Sequence, residues 1–282
     1  MKRNYIARRF QLGGTGLSLD TEALSKYKDI IDLSIGDTDF TTDEAIIAAA
    51  FRDAGLGHTH YGDPKGDPEL ISAVCRAWEE DFGQPLSGDH VLVSTSSCLG
   101  MALTMLAILD PGDEVIVFSP YFAVYRSQIE LAGGVCVDVP TYADENYAID
   151  EARLRAAITP RTKAIIFNNP ANPTGMSYDR DTLSMLARIA QEYDLLIAAD
   201  EIYTTYLYEG DFCPIRTLPG MAERTITLNS FSKNYLMTGW RVGVIIAEPE
   251  LLAVMNRING ALVYTAPSIS QRAAIQALSM RR

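Results

Sequence analysis

Three short segments of the sequence carry side chains that could do chemistry, and each follows an apolar run. They read NNPANPTG at 168–175, ADEIY at 199–203 and NSFSKNYLMTGWRVG at 229–243. A carboxylate buried at a strand end, as expected for Asp200, must find a cationic partner or shift its pKa. Lys233 shares one turn with two serines, and Arg241 follows it by eight residues. These groups would meet if the three apolar runs were strands ending at one edge of a sheet.

Each segment also has a purely structural interpretation, which the local sequence leaves open. Two Asn-Pro steps impose an extended and then turned backbone, so residues 168–175 alone predict only a turn. Asp200 alone is compatible with a helix cap. Lys233 alone is compatible with a solvated surface side chain.

Short β-branched runs alternate with helical segments from Val91 onward, which is typical of βα repetition and a mainly parallel sheet. Seven strands are predicted, beginning at Val91, Glu114, Val135, Ala164, Leu195, Thr225 and Arg241. Helices are predicted at 43–54, 68–82, 99–109 and 179–194. We therefore predict an α/β fold of three αβα layers, in which ligands bind beyond the carboxyl ends of the strands.

The composition excludes several classes of protein. The chain has 282 residues, 48% of them hydrophobic and 21% charged, as in ordinary folded domains. Its formal net charge is −12 with six lysines, so we expect neither nucleic acid nor anionic membranes as partners. No run approaches the ~20 apolar residues of a membrane span, and no signal peptide is evident. We therefore predict a cytoplasmic location.

The cysteines and histidines give no disulfide or metal pattern. The four cysteines lie far apart and are predicted to be reduced thiols. They are Cys75, Cys98, Cys136 and Cys213. The three histidines have no further ligand at zinc-like spacing, so no metal site is predicted. They are His58, His60 and His90.

In their order and spacing, the three segments resemble those of the fold-type-I pyridoxal-phosphate enzymes, specifically the class I and II aminotransferases. The resemblance extends from about Ile35 to the last residues. It implies the large domain of a PLP-dependent transferase, with pyridoxal 5′-phosphate as the coenzyme. The implied reaction moves an amino group from an amino acid to a 2-oxo acid.

The resemblance also implies the catalytic residues. Lys233 would hold the coenzyme as a Schiff base and later shuttle a proton. Asp200 would face the pyridine nitrogen and keep it protonated, so that the ring can accept electrons. Tyr203 and Asn172 would hydrogen-bond the phenolic oxygen, and Asn172 is also expected to contact the substrate.

The phosphate of the coenzyme has its own implied residues. Ser230 and Arg241 would bind it beside the lysine. The backbone amides near Ser96, Ser97 and Cys98 would add the positive end of a helix dipole. Members of the family commonly carry glycine and a hydroxyl residue in this loop, so we expect a weaker side-chain contribution from Cys98.

Three further positions match the family pattern. Phe122 is expected to stack on the coenzyme ring. Tyr61 would reach the phosphate of a neighbouring subunit, which implies a homodimer with shared sites. The backbone of Gly36 would face the substrate carboxylate.

The family pattern also implies a division into domains. Residues 1–45 would form an N-terminal arm and the entry segment of a small domain, and residues 46–282 the coenzyme-binding large domain. The C-terminal small domain, which normally supplies the arginine for the substrate α-carboxylate, is expected to be absent.

Two alternatives to an aminotransferase remain open on the sequence. A carbon–sulfur β-lyase would use the same lysine, aspartate and tyrosine. A truncated remnant would bind the coenzyme without transferring an amino group. The side chain of the substrate is not predicted.

Overall fold

The computed structural model describes residues 5, 29, 31 and 36–281. The predicted N-terminal arm therefore lies mostly outside the described residues, as does Arg282. The expected domain boundary between residues 45 and 46 stays a prediction. Helix α1, at Glu44–Gly55, crosses that boundary.

The centre of the described chain is a seven-stranded sheet. Its strands are β1 (Val91–Ser94), β2 (Glu114–Ser119), β3 (Val135–Pro140), β4 (Thr162–Asn168), β5 (Leu196–Asp200), β6 (Thr225–Ser230) and β7 (Gly243–Ile246). Their order is β1-β7-β6-β5-β4-β2-β3. Strand β7 runs antiparallel to both of its neighbours, and the other pairs are parallel. The predicted seven-stranded, mainly parallel sheet is confirmed.

Helices cover both faces of the sheet. In chain order they are α1 (Glu44–Gly55), α2 (Pro68–Phe82), α3 (Ser96–Ile108), α4 (Val124–Leu131), α5 (Glu151–Ala157), α6 (Arg180–Glu192), α7 (Phe231–Asn234), α8 (Pro249–Leu262) and α9 (Ser268–Ser279). Helix α3 begins three residues earlier than its apolar pattern predicts. In the part of the chain that the structure describes, no helix is both long and apolar enough to cross a membrane.

Neighbouring residues of one strand pack into opposite layers. In β4, Ile166 packs with α3, α4 and α8, whereas Ile165 and Phe167 pack with α5 and α6. In β5, Ala198 packs in the layer of α3, α4 and α8, and Ala199 packs in the layer of α5 and α6. Because both faces of the sheet are buried, the strands are continuous runs of apolar residues, without alternation of apolar and polar positions. The predicted three-layer αβα architecture is confirmed.

Aspartates begin several of the helices. The side chains of Asp43, Asp67, Asp150 and Asp179 each accept a hydrogen bond from a backbone amide in the first turn. Helix α3 differs, because Thr95 at its N-cap position makes no side-chain capping bond.

The strands that carry the three segments end side by side. Asn168 at the end of β4 pairs with Asp200 at the end of β5, and Asp200 pairs with Leu228 of β6. Ser230, the last residue of β6, pairs with Gly243, the first residue of β7. The register therefore brings the predicted site residues to one edge of the sheet.

Candidate active site

Asp200 is a carboxylate at the end of β5, only 7% exposed. Its Oδ2 accepts a hydrogen bond of 2.5 Å from the Tyr125 hydroxyl, whereas its Oδ1 has no hydrogen-bond partner among the described residues. Burial raises the pKa of Asp200 to about 6, although the Tyr125 hydroxyl and the Ile202 amide lower it. A cationic N–H group at Oδ1 would satisfy this oxygen and favour the charged form of the carboxylate.

Hydrogen bonds between asparagines link the ends of β4 and β5. Asn168 Nδ2 donates to the carbonyl oxygen of Asp200 at 2.8 Å, and Asn168 Oδ1 accepts from the Asn172 amide at 2.6 Å. Asn172 Nδ2 in turn donates to the Tyr203 hydroxyl at 3.4 Å. Burial and then the charge of Asp200 raise the pKa of Tyr203. The structure therefore brings Asn172, Tyr203 and Asp200 together, as predicted.

Lys233 lies in the short helix α7, directly after β6. Ser230 caps this helix, because its Oγ accepts from the Ser232 amide at 3.1 Å. The Ser230 hydroxyl is buried and also bonds to the Ser232 hydroxyl at 2.9 Å. The Lys233 ammonium group donates to the carbonyl oxygen of Gly36. Two residues predicted from distant parts of the sequence, Lys233 and Gly36, are thus in contact.

The start of α3 lies against the start of β7. A Cβ atom at Gly243 would come within 2.7 Å of the Ser97 amide nitrogen and 2.9 Å of the Asn229 carbonyl oxygen, so glycine permits this close approach. Ser96 is buried and has a φ angle of 76°. Ser97, half-buried, follows it in the first turn of α3. The helix amides are therefore held close to the chain that carries Arg241.

Arg241 and Cys98 form the exposed end of the site. Arg241 has a φ angle of 54°, and its guanidinium donates to the Thr238 carbonyl oxygen at 2.8 Å. The Cys98 carbonyl oxygen accepts from Gln128 Nε2 at 2.7 Å. Partial desolvation raises the pKa of the Cys98 thiol, and the charges of Arg241 and Asp200 act on it in opposite directions. Cys98 therefore lies within electrostatic range of both Arg241 and the buried carboxylate.

Phe122 lies on the same side of the sheet as Asp200. Its ring makes an edge-to-face contact with Tyr125, with the centroids 5.7 Å apart. It packs against the layer that includes Ala198 of β5. This position suits the predicted stacking on a ring bound at Asp200.

Tyr61 is 86% exposed and makes an edge-to-face contact with Tyr264, with the centroids 5.2 Å apart. The structure describes one chain, so the idea that Tyr61 reaches a neighbouring subunit stays a prediction. The exposure of the ring leaves it accessible to a second chain.

Sequence reasoning missed two buried side chains of helix α4. Tyr125 contacts Asp200, and Gln128 fixes the backbone at Cys98. They are three residues apart on one face of the helix, and Tyr125 also follows Phe122 by three. This spacing is the signal in the sequence that could have found them.

The fold and the site define a class of protein, and comparison with known proteins identifies it. The family model for aminotransferase class I and II matches residues 28–282. The chain belongs to this family.

Individual relatives agree with this assignment. The chain is 39% identical over 252 residues to the aspartate/prephenate aminotransferase of Thermus thermophilus, a match covering 89% of this chain and 65% of that protein. It is 36% identical over 269 residues to the arginine–pyruvate transaminase of Pseudomonas aeruginosa, covering 94% of this chain and 68% of the relative. The chain thus spans about two thirds of the length of these curated relatives. Their names give no support to the β-lyase alternative.

Solved structures of the family share the fold. The aspartate aminotransferase of Thermus thermophilus with maleate matches with a TM-score of 0.92 and 35% identity, over 98% of this chain and 73% of that one. The aspartate aminotransferase of Thermotoga maritima matches with a TM-score of 0.92 and 33% identity, over 98% of this chain and 75% of that one.

Enzymes of this family depend on pyridoxal 5′-phosphate, and the residues of this site fit that coenzyme. Asp200 Oδ1, to which none of the described residues donates a hydrogen bond, suits a protonated ring nitrogen. The Asn172–Tyr203 pair offers donors to a phenolic oxygen, and Lys233 offers an amine. Arg241 and the amides at the start of α3 suit a phosphate. Each chemical group of the coenzyme therefore has a complementary group in the chain.

Proposed function

We propose that this chain is the coenzyme-binding part of an aminotransferase, which moves an amino group from an amino acid to a 2-oxo acid. The observation that carries the proposal is the buried Asp200 carboxylate, whose Oδ1 has no hydrogen-bond partner in the described chain, at the same sheet edge as Lys233. A carboxylate is costly to bury without a partner, and a cationic ligand group at Oδ1 would compensate that cost for Asp200.

When bound, pyridoxal 5′-phosphate supplies an aldehyde for covalent attachment and a ring that accepts electrons from the α-carbon of the substrate. Asp200 holds a proton on the ring nitrogen by its charge. Tyr125 supports this role, because its hydrogen bond favours the ionised carboxylate. Asn172 and Tyr203 stabilise negative charge on the phenolic oxygen.

Lys233 has two tasks in the proposed reaction. Its amine would hold the coenzyme covalently, and the same amine would move the proton of the substrate α-carbon. Its bond to the Gly36 carbonyl oxygen orients the amine toward the chain segment expected to contact the substrate carboxylate. Arg241 and the amides near Ser97 hold the phosphate, which fixes the ring relative to the lysine.

We also propose a homodimer in which Tyr61 contacts the partner's phosphate. The support is an exposed apolar patch around Tyr61, formed with the end of α8 and the residues after it. This patch contains Leu262, Val263 and Tyr264. Apolar surface of this kind is typical of an interface. A cytoplasmic location is proposed because none of the four cysteines, all in the described chain, forms a disulfide.

The amino-group transfer is tested by its products. The protein is titrated with pyridoxal 5′-phosphate, followed by absorbance, and then mixed with single amino acids. We expect the aminated coenzyme and one equivalent of the matching 2-oxo acid, without free ammonia. Ammonia and a released thiol from a cysteine derivative would indicate a β-lyase instead. Coenzyme binding with no reaction toward any amino acid would indicate a remnant.

A further inference from the structure

Glu201 directly follows Asp200, and its side chain lies on the opposite face of the sheet. Strand residues alternate between layers, so Asp200 faces the α4 side whereas Glu201 faces the side of α5 and α6. Glu201 is 1% exposed. Its Oε1 accepts from the Ile215 amide at 3.2 Å, and its Oε2 has no hydrogen-bond partner in the described chain.

Arg216 is the cation that acts electrostatically on Glu201, but its two Nη atoms donate to other acceptors, and its buried Nε has no hydrogen-bond partner among the described residues. Arg216 is 2% exposed, and its Nη1 donates to the carbonyl oxygen of Thr225 at 3.0 Å and to that of Ala222. Its Nη2 donates to Glu248 Oε1 at 3.2 Å. The guanidinium therefore acts on Glu201 through space and makes no hydrogen bond to it within the described residues.

Two threonines of β6 face the same buried layer. Thr225 and Thr227 pair with Ile197 and Ala199 of β5, whose side chains belong to the layer of α5 and α6. The hydroxyl oxygens of both threonines are buried and, among the described residues, without hydrogen-bond partners. Four buried polar side chains thus lie on the face of the sheet opposite Asp200, those of Glu201, Arg216, Thr225 and Thr227.

The charge balance around Glu201 favours its neutral form. Burial, with a smaller contribution from the charge of Asp200, raises the pKa of Glu201 to about 8, although the Ile215 amide and Arg216 lower it. Arg216 itself is balanced by Glu248, and Glu223 also acts on it. A neutral carboxyl adds no second negative charge beside Asp200.

This inference rests on the proposed function. We propose that Glu201 is a positioning residue for Asp200: a buried, protonated carboxylic acid that joins the end of β5 to the Ile215 turn. Glu201 acts from the face of the sheet opposite the coenzyme. Because it is neutral, Asp200 carries the negative charge at the end of β5. If Glu201 ionised, two negative charges would lie on adjacent residues. Glu201 would then no longer differ from Asp200 in charge.

The first test uses the chain without coenzyme, so it does not depend on the proposed function. Urea unfolding is measured from pH 5 to pH 9 for the parent, Glu201→Gln and Glu223→Gln, an exposed control nearby. A pKa raised on folding means that the folded state holds a proton that the unfolded state has lost, so stability falls as pH rises toward 8.

Relative to that of Glu201→Gln, the folding equilibrium constant of the parent should fall by up to about tenfold per pH unit until about pH 8. Above this pH the ratio of the two constants should level off. The Glu223→Gln curve should run parallel to that of the parent. Parallel curves for the parent and Glu201→Gln would overturn the proposal, because Glu201 would then be ionised in both states.

The second test addresses positioning by spectroscopy. The absorbance of bound pyridoxal 5′-phosphate is followed against pH for the same proteins and for Glu201→Ala. We expect an inflection near pH 8 in the parent and in Glu223→Gln that is missing in Glu201→Gln. At pH 7, Glu201→Gln should retain the parent's coenzyme affinity within about twofold, and Glu201→Ala should lose about tenfold.

Superimposable pH profiles of the parent and Glu201→Gln would contradict the positioning role, as would parent-like affinity in Glu201→Ala. If the parent itself binds no coenzyme, the proposed function fails. The unfolding curves would still decide whether Glu201 is held as a neutral acid.

Discussion

The two ends of the proposed coenzyme site are built differently. At the ring-nitrogen end, Asp200 and Tyr125 are buried between strand and helix and bonded to each other at 2.5 Å. At the phosphate end, Arg241 and Cys98 are exposed, and the close approach at Gly243 holds backbone amides in place. The first end is determined by core packing and the second by loop conformation. Substitutions at the two ends should therefore affect different measurements.

The largest effect is expected at the buried end. Asp200→Ala should lower the rate of amino-group transfer by about a hundredfold to a thousandfold while weakening coenzyme affinity only about tenfold, because the charge acts mainly on the transition state. Single-turnover rates and coenzyme titrations measure the two quantities. Asp200→Asn, which keeps the shape and removes the charge, is expected to lose a similar amount. An unchanged rate in either variant would make Asp200 a structural residue.

At the exposed end, Arg241→Ala should have the opposite signature. We expect affinity for pyridoxal 5′-phosphate to fall about thirtyfold, because charge-assisted bonds to phosphate are lost. Affinity for pyridoxal, which lacks the phosphate, should change little. Arg188→Ala, on the exposed face of α6, is the matched control. Equal losses for both compounds would show that Arg241 supports the fold and does not bind phosphate.

Tyr125→Phe should have an intermediate effect, confined to the buried end. The hydroxyl lowers the pKa of Asp200, so its removal should raise that pKa above its value of about 6. The acidic limb of coenzyme binding against pH should then move upward by up to about one unit. Tyr121→Phe is the control, because Tyr121 bonds to Arg126 instead. A profile that does not move would mean that Tyr125 contributes packing alone.

Cys98→Ser should have the smallest effect. The backbone of Cys98 is already fixed by Gln128, so a hydroxyl in place of the thiol is expected to improve coenzyme affinity by less than about threefold. The coenzyme titration used for Arg241→Ala measures this change. A gain of tenfold or more would show that the side chain at this position, and not the backbone, controls the phosphate end.

Most of the fold was predictable, because the strands are buried on both faces and appear as apolar runs. The buried end of the site was predictable in part. Asp200 carries a recognisable pattern, whereas Tyr125 is functional only through the orientation of α4 against β5. That orientation depends on packing and not on local sequence.

Contacts between distant segments could not be predicted from the sequence. The bond from Lys233 to Gly36 joins residues 197 positions apart. The different environments of Asp200 and Glu201 follow from strand alternation, but the hydrogen bonds from the Nη atoms of Arg216 to acceptors other than Glu201 could be found only in the structure. Sequence patterns identify the groups, and tertiary packing determines which of them meet.

Covalent trapping of the coenzyme tests most directly whether Lys233 is its attachment site. The protein is incubated with pyridoxal 5′-phosphate, reduced with borohydride, digested and mapped by mass spectrometry, with Lys233→Ala and Lys163→Ala treated in parallel. We expect one modified peptide containing Lys233, retained in Lys163→Ala and lost in Lys233→Ala. Modification confined to another lysine, such as Lys65, would contradict this assignment.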